Sequence, residues 1–330
     1  MTTLTALRRG GIAAACAFAA LGTSAQTPPY PDPHKMIQIV AMQPPGSSSE
    51  TIARSWAECA ARQLGQPVIV QNKPGANGVL AVRYLESQPR DGDTVMFIGM
   101  SQMAITPYIF KKPPYDPQKD FDGIALLTNT SMILTASPGS GIRSLADLAR
   151  VARESKGQLN FASPGNGSPA HLLTTALADK LGAPMTHVPF VGEAAGMTSL
   201  MGNQVQLMTL VLGTAIPQVK AGKIVPLAVL APQRSALLPD VPALAELMDF
   251  KDLERPAWGA LVAAAGTPRP VIDRLNAVTQ QCMADPALRE RFAGLNIATV
   301  NSAPEDVKLW AARDAQVWRP LIEKLGLVTQ

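Results

Sequence analysis

Short apolar runs alternate along the chain with longer stretches in which apolar side chains return every three or four positions. The first pattern fits strands and the second fits amphipathic helices. Strands are expected at 37–41, 68–71, 94–99, 133–136, 159–162, 186–189, 206–210, 226–230 and 260–264. Helices are expected between them. The clearest covers 49–64, where Ile52, Trp56, Ala60 and Leu64 recur every four residues and make one apolar face. Another covers 145–154, opening after Ser144 as N-cap with Leu148 and Val151 turned inward. The last third reads as helices at 270–283, 286–295 and 304–325, each beginning with a proline where a missing N–H is harmless. The proline-rich stretch 107–122 reads as an ordered loop. Strand and helix in alternation predict an α/β fold of mostly parallel sheets flanked by helices.

The first 25 residues stand apart from this pattern. Arg8 and Arg9 precede an apolar run at 10–21, and Thr23, Ser24 and Ala25 close it with small side chains, as in a secretory leader cleaved after Ala25. Lipid attachment at Cys16 is the competing reading, weakened by the missing leucine at the start of such a box. Without the leader the chain of 330 residues is still long enough for two domains. The formal charge of +4 drops by the two leader arginines, and no run of basic residues interleaves with aromatics, so nucleic acid is not an expected partner. Export leaves Cys59 and Cys282, which an oxidising compartment would allow to pair. Both fall on expected helices, and the pattern favours two buried free thiols, with a disulfide as the alternative.

Chemistry is expected at two loops of the same design, an apolar strand followed by a Pro/Gly/Ser turn and a helix. One runs from Pro44 through Gly46, Ser47, Ser48 and Ser49 to Glu50; the other from Ser163 through Gly165, Asn166, Gly167 and Ser168 to His171. Such loops at the carboxyl ends of strands are where α/β sheets bind ligands. A helix start offers unpaired N–H groups and partial positive charge to an anion. Capping alone also explains the spacing: Ser47 and Glu50 match a capping box, and Ser168 before Pro169 is an ordinary N-cap. Glu50 either folds into that box or faces the cleft and pairs a cationic amine on the ligand.

Catalytic and cofactor signals are weak. The sequence has no G-x-S-x-G elbow, no dinucleotide or phosphate-loop fingerprint, and no metal-ligand spacing. No catalytic residue, metal or cofactor is therefore assigned. Ser168 and His171 remain the one pair from which a hydrolase could be built.

Several segments together carry a family resemblance: Pro44-Pro45-Gly46, Asn72-Lys73-Pro74-Gly75-Ala76, the stretch 114–121, the stretch 162–169, His187-Val188-Pro189-Phe190, Leu238-Pro239-Asp240-Val241-Pro242 and Ala265-Gly266-Thr267-Pro268. In this order they resemble the periplasmic substrate-binding proteins of tripartite tricarboxylate transporters, the Bug family. The resemblance implies a two-domain Venus-flytrap solute-binding protein of type II, with residues 27–129 plus 251–330 in one domain and 130–250 in the other. It also implies a monomer that holds a small carboxylate between the domains, delivers it to membrane transporter subunits, and has no catalytic activity. A ligand sensor signalling to a membrane partner is the alternative. The ligand-binding residues implied are Gly46, Ser47, Ser48, Ser49, Gly165, Asn166, Gly167 and Ser168, with Phe190 as an apolar wall. Val191 and Thr209 stand where the family often has lysine and aspartate, which implies a more apolar cleft.

Overall fold

The structure is a computed structural model that describes residues 30–328 apart from 156 and 251–255. The expected leader and its cleavage site lie outside the described residues. In chain order the elements are β1 (Ile37–Ala41), α1 (Ser48–Leu64), β2 (Val68–Asn72), α2 (Val79–Glu86), β3 (Thr94–Gly99), β4 (Phe121–Thr130), β5 (Met132–Ala136), α3 (Leu145–Glu154) and β6 (Asn160–Ser163). There follow α4 (Pro169–Leu181), β7 (Thr186–Pro189), α5 (Glu193–Met201), β8 (Leu207–Val211), α6 (Leu212–Lys220), β9 (Val225–Leu230), α7 (Leu244–Leu247) and β10 (Ala257–Ala264). The chain ends with α8 (Arg269–Ala284), α9 (Pro286–Ala293), β11 (Ile297–Thr299) and α10 (Pro304–Lys324).

The strands form two sheets, in the orders β11-β4-β10-β3-β1-β2 and β7-β6-β8-β5-β9. The α/β class is as expected, but neither sheet is mostly parallel. In the first, β1 runs parallel to β2 and β3, while β10 is antiparallel to β3 and β4, and β11 to β4. In the second, β6 is parallel to β7 and β8, and β5 is antiparallel to β8 and β9. The antiparallel strands sit where the chain changes sheets: β4 leads through Ser131 into β5, and β10 is the first strand after the return from β9.

Alternation along the central strands of the first sheet feeds two apolar layers. Ile39, Val95, Phe97 and Leu261 face one layer with Trp56 of α1 and Leu275 of α8, whereas Val40, Met96, Ile98 and Val262 face another with Val82 of α2 and Trp318 of α10. The apolar face expected on α1 is the buried one, with Ile52, Trp56 and Ala60 inside. Across that layer Cys59 and Cys282 are joined in a disulfide with a Cα–Cα distance of 5.7 Å. This corrects the expectation of free thiols: α1 and α8 pack side by side, which sequence separation concealed.

The strand β4 was not expected. Its first two residues fall in the proline-rich stretch, and the strand is buried on both faces, so it carries no alternation to read. The expected N-caps are all in place, with the hydroxyls of Ser47, Ser144 and Ser168 accepting from the backbone N–H of Glu50, Asp147 and His171. No helix of the described residues is long and apolar enough to cross a membrane.

Candidate ligand-binding site

A cavity of about 300 Å³ lies between the two sheets and takes its walls from both. From the first sheet come Pro44, Ser48 and Ser49 at the start of α1, Asn77, Ser101 and Gln102 from the loops after β2 and β3, and Phe97 and Trp258 as an apolar floor. From the second come Pro164, Gly165 and Ser168 at the start of α4, the segment 190–193, and Thr209 and Val211 of β8. Both strand-turn-helix loops expected to carry chemistry thus open on one space.

Ser48, Ser49, Gly165, Ser168 and Phe190 line the cavity, whereas Gly46, Ser47, Asn166 and Gly167 do not. The last four are set back for identifiable reasons. Ser47 spends its hydroxyl on the N–H of Glu50 at 3.2 Å, and Gly46 makes the turn before it at φ +84°. Asn166 and Gly167 instead meet the opposite half of the molecule. The Asn77 amide donates to the Asn166 carbonyl at 2.6 Å, and the Ser101 hydroxyl to the Gly167 carbonyl at 3.5 Å. Gly167 has φ +69°, and a Cβ there would stand 2.5 Å from Ile109 Cδ1.

Glu50 turns away from the cavity. Its carboxylate accepts from the Gly46 N–H at 3.4 Å and from Arg54 Nε at 2.8 Å, and it is buried. The box therefore closes on Gly46, one residue earlier than the Ser47 N–H expected. The Arg54 partner is half exposed, so the pair fixes the turn more than it stabilises the fold.

Ser48 is left with work to do. Among the described residues, its Oγ is the one buried, unpartnered side-chain polar atom on the cavity wall. A buried hydroxyl without a partner costs about 1–3 kcal/mol, which a ligand oxygen would relieve.

The second loop rests on imidazoles. His171 and His187 stack at a centroid distance of 3.7 Å, with Phe161 against His187 at 5.0 Å. His171 Nδ1 accepts from the Gly167 N–H at 3.1 Å, and His187 Nε2 lies 2.7 Å from Ser163 Oγ, which itself bonds Gly165. Burial, aided by His187, pushes His171 down to about 3; burial pushes His187 down to about 4. Both rings are thus neutral supports for the loop. The Ser168/His171 pair is not assembled: the serine hydroxyl accepts from the His171 backbone, and the imidazole faces Gly167.

Sequence reasoning missed Asn77 and Glu193. Asn77 lies in Pro74-Gly75-Ala76-Asn77-Gly78, a third strand-turn-helix loop that could have been found by the same search. Glu193 opens α5, where it reads as an ordinary first-turn acid. It lines the cavity, and its Oε1 accepts from the Val211 N–H at 3.1 Å and from the Thr214 hydroxyl. Burial pushes its carboxyl up to about 7, against the pull of those two donors.

Comparison with known proteins gives a consistent picture. The family described as "Tripartite tricarboxylate transporter family receptor" matches residues 52–327. A Cupriavidus necator protein described as a UPF0065 protein in the gbd 5' region is 33% identical, over 97% of this chain and 97% of its own. The periplasmic binding protein BugD superposes with a TM-score of 0.84 at 28% identity, covering 91% of this chain and 100% of its own. MatC from Rhodopseudomonas palustris, solved with bound malate, gives 0.83 at 27% identity, covering 88% of this chain and 100% of its own.

Proposed function

The chain belongs to the tripartite tricarboxylate transporter receptor family, and from that premise we propose that it captures a small carboxylate between its two sheets and carries it to transporter subunits in the membrane. The observation that carries this reading is the meeting of two helix starts, α1 and α4, one from each half of the molecule, on one cavity. Both present backbone N–H groups and hydroxyls, and Ser48 Oγ has no other partner. An anion placed there draws on both partial positive ends at once. The malate bound by MatC agrees with this choice of ligand class.

In this reading the protein works in the periplasm as a monomeric, non-catalytic receptor, after removal of its leader behind Ala25. The halves are residues 27–129 plus 251–330 and residues 130–250, hinged where the chain passes between the sheets near Ser131 and after Leu230. Apart from Thr130 at the end of β4, each sheet draws its strands from one of these halves, which supports the division. The contacts of Asn77 with Asn166 and of Ile109 with Gly167 hold the cleft closed.

Thermal unfolding in the presence of mono- and dicarboxylates, each paired with its carboxamide, tests the proposal. A specific acid at a hundred times its Kd should stabilise the protein by about 2.7 kcal/mol, and its amide should not. Turnover of an ester or amide substrate without such stabilisation would reject it.

A further inference from the structure

Among the described residues lining the cavity, Glu193 is the one that carries a full charge when ionised; no lysine, arginine or histidine joins it there. Everything else on the wall is apolar, amide or hydroxyl. An anion-binding cavity with a single acid in it poses a problem of charge. A dianion bound between the helix starts would meet a carboxylate with no cation between them.

The construction of Glu193 points to the answer. Its two protein hydrogen bonds both end on Oε1, from the Val211 N–H and the Thr214 hydroxyl. Both are donors, so they orient and favour the ionised form. Among the described residues Oε2 receives no protein donor. No basic side chain acts on the group; only burial and those two donors do. The carboxylate is thus fixed in place by one oxygen, with no basic side chain against it.

We propose that Glu193 is the counter-ion for a cationic nitrogen on the ligand, so that the cavity selects carboxylates that also bear an ammonium group over acids of higher negative charge. The proposal rests on the carboxylate reading given above and adds its second pole. The ligand carboxylate lies at the starts of α1 and α4, the ammonium donates to Glu193 Oε2, and the bound pair leaves no unbalanced charge in the cleft. Because burial raises the acid to about 7, ammonium binding must also deprotonate it, and affinity for such a ligand rises with pH.

The test uses calorimetry on the full-length mature protein with α-amino acids and the ω-amino acids from β-alanine to 6-aminohexanoate. Each is paired with the monocarboxylate in which a methyl group replaces the ammonium, and dicarboxylates from malonate to adipate complete the set. An amino acid should bind at least about tenfold more tightly than its methyl counterpart, as a charged hydrogen bond requires. It should gain about tenfold between pH 6 and pH 8, where the methyl counterpart does not change. The substitution Glu193→Gln keeps an acceptor for Val211 and Thr214, and should remove the preference and the pH dependence while sparing the methyl analogue. Equal loss for both members of a pair in Glu193→Gln would make the residue structural and overturn the proposal. So would a dicarboxylate that binds more tightly as the pH falls, since a protonated Glu193 would then be donating to a second carboxylate. Failure of every acid in the set would instead remove the underlying carboxylate reading.

Discussion

The two halves of the cradle share a grammar and differ in what holds them. The α1 loop belongs to a body stapled by the Cys59–Cys282 disulfide, and its turn is tied by the Glu50 carboxylate to Gly46 and Arg54. The α4 loop has no disulfide beneath it; it sits on two stacked neutral histidines and presses its glycines against the opposite half. One loop is anchored by covalent and ionic contacts within its own body. The other is supported by two imidazoles and by contacts with the opposite half of the molecule. Oxidation state should therefore govern the first loop, and acid and closure the second.

The largest expected effect is on the stapled body. Replacing both Cys59 and Cys282 with alanine should cost roughly 2–5 kcal/mol, because the bond closes a long loop across a separation of 223 residues. Trp56, Trp258, Trp310 and Trp318 all lie in that body, so urea unfolding followed by tryptophan fluorescence reads the loss there. A fluorescence midpoint that stays put would show that the staple carries no stability.

Next comes closure. Gly167→Val should weaken ligand binding by about a hundredfold or more, since the new side chain needs a strained φ and meets Ile109 across the cleft. Gly46→Ala shares the positive φ but meets nothing within 4 Å, so it should cost stability of about 1–2 kcal/mol and leave affinity nearly intact. Calorimetry on the two variants separates a glycine needed for close approach from one needed for its turn. Equal losses of affinity would erase the distinction.

Acid should act on the second loop. Free histidines take up protons near 6.5, whereas His171 and His187 stay neutral until about 3 and 4, so their contribution is complete above 6.5 and is lost as the pH falls below it. Glu193 has the opposite sign: raised from 4.5 to about 7, it favours the folded state as the pH falls through that window. In a Glu193→Gln background the histidines act unopposed. Stability by urea titration should then fall by about 2–3 kcal/mol from pH 7 to pH 5, after discounting the more exposed His187. Wild type should lose less. The smallest effect is expected from Glu50→Gln, which keeps an acceptor for Gly46 and should change affinity by less than about 0.5 kcal/mol, because Glu50 faces away from the cavity.

Much of this was legible in the sequence because it is local. Strand β1, the apolar face of α1 and the caps at Ser47, Ser144 and Ser168 follow from spacing within a few residues. The family resemblance, spread over many short segments, named the family and its two-sheet α/β architecture. What stayed hidden depends on contacts between distant segments. The disulfide needed α1 beside α8, and β4 lacked the alternation that marks a half-exposed strand. Asn166 and Gly167 lie in one of the two expected loops but off the cavity wall, with their carbonyls and packing turned to Asn77, Ser101 and Ile109. Glu193 carries no signal of its own in the sequence, and only the walls of the cavity show it to be the charged group among them.

A crystal structure of the mature protein with the acid that stabilises it most tests the central claim most directly. The account predicts the ligand carboxylate in the cavity between the sheets, within hydrogen-bond distance, about 3 Å, of Ser48 Oγ and of backbone N–H groups at the start of α4. A carboxylate found outside that cavity, or turned toward Phe97 and Trp258 with Ser48 Oγ still unpartnered, would contradict it.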